Sequence, residues 1–224
     1  MPKIAALIPA YNEALHIGTV VHQAQAHLPV LVVDDGSTDD TSRRAEQAGA
    51  TVVRQVPNQG KGRALQTGFR RALAEGFEAV VTLDGDGQHD PGEIPAFLRA
   101  YASSAADLII GTRTFSQMPL VRRASNTLGQ LAFSWAMGQP IPDNQSGYRL
   151  VGHRLMAATL DSHETGFEFE VEMIVRCIER GLELDWLPIR TIYAHEKSHI
   201  RPWHHLVHFF RITWQARQRI RRTR

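Results

Sequence analysis

The sequence has little cysteine and no long apolar run. Its single cysteine, Cys177, cannot form a disulfide within the chain, and it continues the helical apolar spacing of Val171, Ile174 and Ile178, so we expect it in the core. No apolar stretch approaches the roughly 18 residues that a membrane-spanning helix needs, and the N-terminal residues turn polar too early for a signal peptide. These absences predict a protein of the reducing cytoplasm without a membrane span.

Glycine is missing from the turn that follows the first apolar strand. Residues 3–9 form that strand, and Ala10-Tyr11-Asn12-Glu13 follows where a helix should begin. A dinucleotide-binding fingerprint would need G-x-G-x-x-G at this point, so that class is excluded. A P-loop around Lys61 is excluded as well, because Gln55 replaces its first glycine and Gly62 replaces its Ser or Thr.

Acidic residues are missing from the last part of the chain, 201–224, which contains seven arginines although the net charge of the whole chain is only +2. From Trp203 to Arg219, apolar residues follow one helical stripe and polar residues lie opposite. We expect a basic amphipathic helix that lies on an anionic membrane surface. Packing of this helix on its own domain or on a dimer partner is the alternative. Nucleic acid is not an expected partner, since no base-reading module accompanies the arginines.

Apolar strands alternate regularly with helices from Lys3 to Gly111. Strands are predicted at 3–9, 30–33, 51–54, 79–83 and 107–111, and helices at about 13–27, 40–47, 58–75 and 92–101. The alternation indicates an α/β protein with an open, mostly parallel, Rossmann-like sheet flanked by helices. Ligands of such sheets bind beyond the carboxyl ends of the strands. We expect one catalytic domain, 1–200, followed by the basic segment 201–224.

The stretch VVTLDGDGQHD, residues 80–90, ends an apolar strand abruptly in acids. Alternate residues of an extended strand point the same way, so Asp84, Asp86 and Gln88 can face one pocket. Fully extended, the two aspartates would lie about 6.5 Å apart, and the glycines between them allow the bend that a shared cation requires. A solvated turn is the alternative. An EF-hand loop is excluded, because its sixth position is not glycine and its twelfth is not glutamate.

Eight motifs carry a resemblance to a known family. They are IPAYNEA (8–14), VVDDGSTDDT (32–41), NQGKGRALQTG (58–68), LDGDGQHDP (83–91), IIGTR (109–113), DNQSGYRL (143–150), GFEFEVEM (166–173) and LPIRTIY (187–193). In these motifs the chain resembles a family 2 glycosyltransferase of GT-A fold, in particular the dolichyl-phosphate or polyprenyl-phosphate mannose and glucose synthases. The resemblance implies a nucleotide-diphosphate sugar donor, a polyprenyl phosphate acceptor and Mg²⁺ or Mn²⁺.

The same resemblance implies roles for the residues on the donor side. The positions that hold the nucleoside are Pro9, Tyr11, Glu13 and Asp35. Asp84 matches the first acid of the family's D-x-D motif, near the sugar nucleotide, while Asp86 and Gln88 match its metal ligands.

On the acceptor side, Arg113, Arg122 and Asn126 match positions that bind the acceptor phosphate, although the last is commonly Ser in the family. The wall between donor and acceptor is implied to include Asp143, Ser146, Tyr148 and Arg149. The segment 191–200 departs from the family pattern, and Ser198 or Lys197 is a candidate for contact with the donor phosphates. The H-E-x-x-H motif at 195–199 is not expected to bind zinc, because Pro202 and the preceding strand disfavour the helix that it needs.

These positions predict an inverting hexosyl transfer at the cytoplasmic face of a membrane, with Asp84, Asp86, Arg113 and Arg122 as the catalytic residues. A metal would stabilise the leaving diphosphate, and an anionic phosphate acceptor would need arginines rather than a general base. One alternative is transfer to a sugar or glycolipid hydroxyl, for which Asp143, Glu170 or Glu172 would act as base. Another is an inactive, donor-binding interaction protein.

Overall fold

The computed structural model describes residues 2–113, 130–166, 168–190, 214 and 217–220. In this part of the chain, seven strands form one mixed sheet in the order β3-β2-β1-β4-β6-β5-β7. The strands are β1 (Ile4–Ala10), β2 (Val30–Asp34), β3 (Thr51–Arg54), β4 (Ala79–Thr82), β5 (Leu108–Arg113), β6 (Arg149–Gly152) and β7 (Leu184–Ile189). Strand β6 runs antiparallel to both of its neighbours, and the other pairs are parallel. The expectation of an open, mostly parallel sheet is confirmed.

Helices cover both faces of the sheet. They are α1 (Ile17–Gln25), α2 (Thr41–Gln47), α3 (Lys61–Ala74), α4 (Ile94–Ser104), α5 (His153–Thr159) and α6 (Glu168–Glu179), with a short 3-10 helix at Pro91–Glu93 before α4. Residues 130–137 and 217–220 are also helical. None of the helices described here is long and apolar enough to cross a membrane.

The central strands β1, β2, β4 and β6 are buried along their whole length, whereas the edge strands β3 and β7 are partly exposed. Along β1, Ala5 and Leu7 join one apolar cluster, whereas Ala6 and Ile8 join the cluster on the opposite face. Strands covered on both faces need continuous apolar runs, which is why the strands of this sequence lack polar alternation. The core position expected for Cys177 is confirmed, and burial raises the pKa of its thiol to about 12.

The predicted alternation of strands and helices agrees with the structure as far as β5, with ends that differ by a few residues. The first helix begins at Ile17 rather than near residue 13, because residues 11–16 form turns at the carboxyl end of β1. Strand β6 was not predicted. It has only four residues and contains the buried Arg149 in an otherwise apolar run, so no alternation distinguishes it from a loop.

The order of the strands creates a crevice next to β1. The chain passes from β1 to β2 and β3 on one side, and then returns to place β4 on the other side of β1. In doubly wound sheets, such a switch point opens a crevice at the carboxyl ends of the strands. Here the crevice lies between the turn after β1 and the acidic stretch after β4.

Candidate active site

The structure brings the turn after β1 against the acidic turn after β4. A Cβ added to Gly85 would lie 3.5 Å from Glu13 Cγ and 3.6 Å from Ala10 Cβ, and one added to Gly87 would lie 3.9 Å from His16 Cβ. The two turns are therefore in contact. Glu13 was expected to contact the nucleoside. In the structure it lies beside the acidic turn, whose residues were expected near the sugar and the metal.

The acidic turn is held by hydrogen bonds to its own backbone. The Asp84 N–H donates to His89 Nδ1 at 3.0 Å, and the Gln88 N–H donates to Asp86 Oδ1 at 2.9 Å. Burial lowers the pKa of His89, and an Nδ1 that accepts a hydrogen bond leaves the ring proton on Nε2. The His89 ring also stacks on Tyr148, with centroids 5.0 Å apart. A neutral histidine therefore fixes the backbone from which Asp84 projects.

Asp84 already has a cation beside it. Lys61 Nζ lies 2.6 Å from Asp84 Oδ1 and 3.0 Å from Glu170 Oε1. Burial acts to lower the pKa of Lys61, but the two carboxylates outweigh it and hold that pKa above its usual value. Burial in turn acts to raise the pKa of Asp84, and the charge of Lys61 keeps it low. We call Lys61, Asp84 and Glu170 the buried triad.

Asp86 differs from Asp84 in this respect. Burial and the negative charge of Asp84 raise the pKa of Asp86, so its ionised form gains from a nearby cation. The available donors at this turn are the carboxylate of Asp86 and the amide of Gln88, which are the hard oxygens that Mg²⁺ and Mn²⁺ prefer. In the described ranges, no group of three or more His, Cys, Asp and Glu side chains could form an all-protein cage. The residues fit a divalent ion whose other ligands come from a bound substrate and water.

Asp35 organises the loop that follows β3. Its carboxylate accepts hydrogen bonds from the backbone N–H groups of Gln59 and Gly60, each at 2.8 Å, and from the side chain of Gln55. The Asp35 N–H donates to Ala10 O at 2.8 Å, which ties the ends of β1 and β2 together. The expected nucleoside side is thus assembled around a buried carboxylate.

The other residues expected on the nucleoside side lie at the end of β1 or directly after it. Pro9 is paired with Val33 within the sheet. Tyr11 follows the strand and has 47% of its surface exposed, so its ring is available for stacking on a planar group.

The N-terminus of α3 is closed by a carbonyl group. The N–H groups of Gly62 and Arg63 donate to Thr165 O at 2.7 and 3.3 Å. A Cβ at Gly60 would lie only 2.5 Å from the same oxygen, and a Cβ at Gly62 would lie 2.7 Å from Phe169 Cβ. The glycines on either side of Lys61 therefore allow the 165–166 backbone to approach. This explains a glycine-lysine-glycine sequence that is not a phosphate loop.

Arg113, at the end of β5, forms a bidentate ion pair with Asp143. The Arg113 Nε and Nη2 atoms lie 2.8 and 3.0 Å from the two carboxylate oxygens. Asp143 also accepts from the N–H groups of Gln145 and Ser146, and it is 3% exposed. A carboxylate with this many donors fixes the guanidinium plane of Arg113 at the edge of the crevice.

The segment 143–149 was expected to form a wall between donor and acceptor. Its backbone is held in place by hydrogen bonds from the Arg149 side chain. This fully buried guanidinium donates to the carbonyl oxygens of Asn144, Ser146 and Glu170. Burial lowers its pKa. Two buried atoms of the same segment, Asn144 Nδ2 and Ser146 Oγ, have no hydrogen-bond partner among the described residues.

The C-terminal residues that the structure describes pack on α6 and on the helical segment 130–137. Arg219 pairs with Glu172 at 2.7 Å and with Glu179, and Ile220 is buried. The Arg217 guanidinium lies 3.4 Å from the ring centroid of Trp135. We call the contacts of Arg219 with Glu172 and Glu179 the tail clamp. These few residues contact the protein's own domain, and the expected contact of the C-terminal segment with a membrane surface stays a prediction.

Three predicted site residues, Arg122, Asn126 and Ser198, lie outside the described part of the chain, as do Lys197 and the H-E-x-x-H motif. Two residues at the site were missed by the sequence reasoning. Lys61 was considered only for a P-loop, although its two flanking glycines signalled a close approach of backbone. His89 was left without a role, and no local pattern indicated its bond to the Asp84 N–H.

Comparisons with known proteins agree with this geometry. The sequence profile described as Glycosyl transferase family 2 matches residues 5–163. An undecaprenyl-phosphate mannosyltransferase of Micrococcus luteus is 32% identical over 205 residues, which cover 85% of this chain and 84% of the relative. A polyprenol monophosphomannose synthase of Mycolicibacterium smegmatis is 30% identical over 201 residues, which cover 82% of this chain and 75% of the relative.

A solved structure shares the fold. Glucosyl-3-phosphoglycerate synthase from Mycobacterium tuberculosis, in complex with Mn²⁺, UDP and glucosyl-3-phosphoglycerate, superimposes with a TM-score of 0.70 at 24% identity, over 96% of this chain and 80% of that chain. The fold is thus of the GT-A type. The profile match spans β1 to α5 and includes both turns of the crevice. The chain belongs to glycosyl transferase family 2.

Proposed function

We propose that this protein transfers a hexose from a nucleotide-diphosphate sugar to a polyprenyl phosphate, with inversion at the anomeric carbon. Family membership supports glycosyl transfer, and the two relatives named above are a mannosyltransferase and a mannose synthase whose names specify an undecaprenyl-phosphate and a polyprenol. The identity of the hexose and of the nucleobase is left open by this proposal.

The donor occupies the crevice between the ends of β1, β2 and β4. Pro9, Tyr11, Glu13 and Asp35 hold the nucleoside, and Asp84 orients the sugar. Asp86 and Gln88 hold a divalent Mg²⁺ or Mn²⁺, which when bound neutralises the charge that develops on the leaving diphosphate. The raised pKa of Asp86 supports this assignment, because burial and the charge of Asp84 both disfavour its ionised form, and a bound cation would offset them.

The proposal of a phosphate acceptor rests on one observation. Each of the three carboxylates considered as a general base for a hydroxyl acceptor is held in an ion pair. Asp143 is paired with Arg113, Glu170 with Lys61, and Glu172 with Arg176 and Arg219. Each carboxylate would have to give up an ion pair to take a proton from a hydroxyl acceptor. A phosphate acceptor is already an anion at neutral pH and needs no base.

The acceptor phosphate then needs positive charge at the edge of the crevice. Arg113 is proposed to supply it, with its guanidinium plane fixed by the bidentate pairing with Asp143. Arg122 and Asn126 are proposed to complete this phosphate site, and Ser198 to contact the donor phosphates. The phosphate oxygen attacks the anomeric carbon in line with the departing diphosphate, and the glycosidic bond to phosphate forms as the donor bond breaks.

The lipid of such an acceptor lies in a bilayer, and we include a membrane surface among the partners. Leu131, Trp135 and Trp214 are 62%, 58% and 60% exposed, and a group of exposed apolar side chains suits a contact surface. Leu131 and Trp135 are one helical turn apart, and the Arg217 that stacks on Trp135 follows Trp214 by three residues. Trp and Arg together suit the interface of an anionic leaflet, here the cytoplasmic face.

The experiment compares a polyprenyl phosphate with the matching polyprenol as acceptor for the purified protein, with nucleotide-diphosphate sugars and Mn²⁺. We expect a lipid-linked hexose from the phosphate alone, and loss of product when EDTA removes the metal. Product from the alcohol would contradict the phosphate-acceptor mechanism. Absence of transfer to both, with the donor bound, would instead favour an inactive donor-binding protein.

A further inference from the structure

The buried triad holds two carboxylates around one ammonium. Lys61 is the first residue of α3, and its Nζ reaches both Asp84 and Glu170 within 3.0 Å. The side chains of Lys61 and Glu170 are only 17% and 6% exposed, so water screens this pairing little. The triad therefore carries one net negative charge at the base of the crevice.

The backbone packs closely around the triad. Gly60 and Gly62, on either side of Lys61, are pressed against the 165–166 backbone. From the opposite direction, a Cβ at Gly147 would lie 2.8 Å from Glu170 Oε1, 3.0 Å from Lys61 Nζ and 3.1 Å from Asp84 Oδ2. The close approach of Gly147 to all three members makes the triad an enclosed, preorganised unit.

The triad also separates two acids that the sequence treats alike. Asp84 and Asp86 are both carboxylates of one short turn, and either could ligate a cation. Only Asp84 has the Lys61 ammonium at 2.6 Å, a position that a divalent ion would have to share with a like charge. The charge of Lys61 therefore disfavours a metal at Asp84 and leaves Asp86 as the carboxylate to which the metal is directed.

We propose that Lys61 is a positioning residue, a built-in counter-charge that reserves Asp84 for the donor and confines the divalent ion to the Asp86 side of the turn. Glu170 sets the strength of this effect, because it shares the ammonium with Asp84. The inference rests on the metal-dependent function proposed above and deepens it.

The experiment measures Mn²⁺ affinity without nucleotide, from the EPR signal of the free ion, in two variants that change the charge of the triad in opposite directions. Lys61→Met removes the ammonium and keeps the stem, so Mn²⁺ should bind about tenfold more tightly. Glu170→Gln leaves Lys61 to Asp84 alone, so Mn²⁺ should bind several-fold more weakly. Lys3→Met is the matched control and should leave the affinity unchanged, because Lys3 directly precedes β1, at the end of the strand opposite to the crevice.

Activity provides the second readout. Although Lys61→Met should bind Mn²⁺ more tightly, we expect its kcat to fall about a hundredfold, because Asp84 is no longer held in position to orient the donor sugar. Tighter Mn²⁺ binding with lower kcat is a combination that a merely structural role for Lys61 would not produce. If Lys61→Met does not fold, the Mn²⁺ affinity of Glu170→Gln is the deciding measurement. Weaker binding than in the wild type supports the inference, and equal or tighter binding contradicts it.

Two results would overturn the inference in different ways. Equal or parallel changes in Mn²⁺ affinity for the two variants, with normal binding by the wild type, would refute the role of Lys61 and leave the proposed function standing. Failure of the wild type to bind Mn²⁺, both alone and with a nucleoside diphosphate, would remove the metal-dependent function and this inference together.

Discussion

Helix α6 carries two glutamates, two residues apart, that belong to opposite kinds of ion-pair network. Glu170 faces the crevice, where two carboxylates share the single ammonium of Lys61. Glu172 faces the C-terminal residues, where two arginines, Arg176 and Arg219, share its one carboxylate. Residues two apart on a helix point to different sides, so one short segment supplies both networks.

The two networks differ in burial, and their roles follow from that difference. Lys61, the cation of the triad, is 17% exposed, whereas Arg219, the cation of the tail clamp, is 38% exposed. Charges in water gain little from pairing, while buried charges are sensitive to each neighbouring charge. The triad is therefore suited to a role in the proposed chemistry, and the tail clamp to attaching the C-terminal residues.

The largest expected effect is a steric change in the buried triad. Gly147→Ala would place a methyl group within about 3 Å of all three triad members, and we expect kcat to fall about a hundredfold because the donor-side geometry is displaced. Gly18→Ala is the matched control, since the nearest atom to its Cβ is 3.9 Å away. The two variants are compared by steady-state kinetics and by thermal unfolding. Equal activity of both would show that the enclosure of the triad is unimportant.

A smaller effect is expected at the tail clamp. Arg219→Met keeps the apolar stem and loses the ion pairs, which should lower the free energy of unfolding by about 1 kcal/mol in urea titrations. Trp214→Ser leaves the clamp intact.

The variants Arg219→Met and Trp214→Ser should both weaken flotation with anionic vesicles several-fold. Both should leave kcat on a detergent-solubilised acceptor unchanged, because neither residue lies at the crevice. Flotation equal to that of the wild type would contradict a membrane role for this surface.

The smallest effect is on the reactivity of Cys177, which lies on α6 beside the carbonyl groups of Leu182 and Glu183. Because burial raises the pKa of this thiol to about 12, the thiolate is scarce at pH 8, and its fraction increases only as the pH rises toward that value. We expect slow alkylation by iodoacetamide in the native protein and rapid alkylation in urea, measured by mass spectrometry. Faster labelling in Arg219→Met than in Gly147→Ala would show that α6 is anchored from the clamp side. Rapid labelling of the native wild type would contradict the burial of this helix face.

Much of the fold could be predicted because the first half of the chain is regular. Apolar runs of strand length alternate with helices up to β5, and each boundary is marked by acids, glycines or prolines. The acidic ends of β2 and β4 then identify the edge of the sheet where the site lies. The antiparallel β6 could not be predicted in the same way, because its place between β4 and β5 depends on long-range pairing.

The residues of the site were predicted better than the ion pairs between them. Asp84 and Asp86 were found from the sequence, but their different surroundings depend on a lysine more than twenty positions earlier and a glutamate on a later helix. Likewise, Arg113 was expected to bind a phosphate, and its pairing with Asp143 was not foreseen. Such partners are set by the packing of distant segments, which local patterns do not encode.

The closed N-terminus of α3 has a consequence for how this scaffold can be redesigned. Thr165 O already accepts hydrogen bonds from the N–H groups of Gly62 and Arg63 at the start of α3. The positive end of the α3 dipole therefore interacts with the protein's own backbone rather than with a ligand. Grafting a triphosphate-binding loop onto residues 55–62 would therefore fail unless the 162–166 loop were shortened as well. A polyanionic ligand near this end of α3 must therefore be neutralised by side chains or by ions that it brings with it.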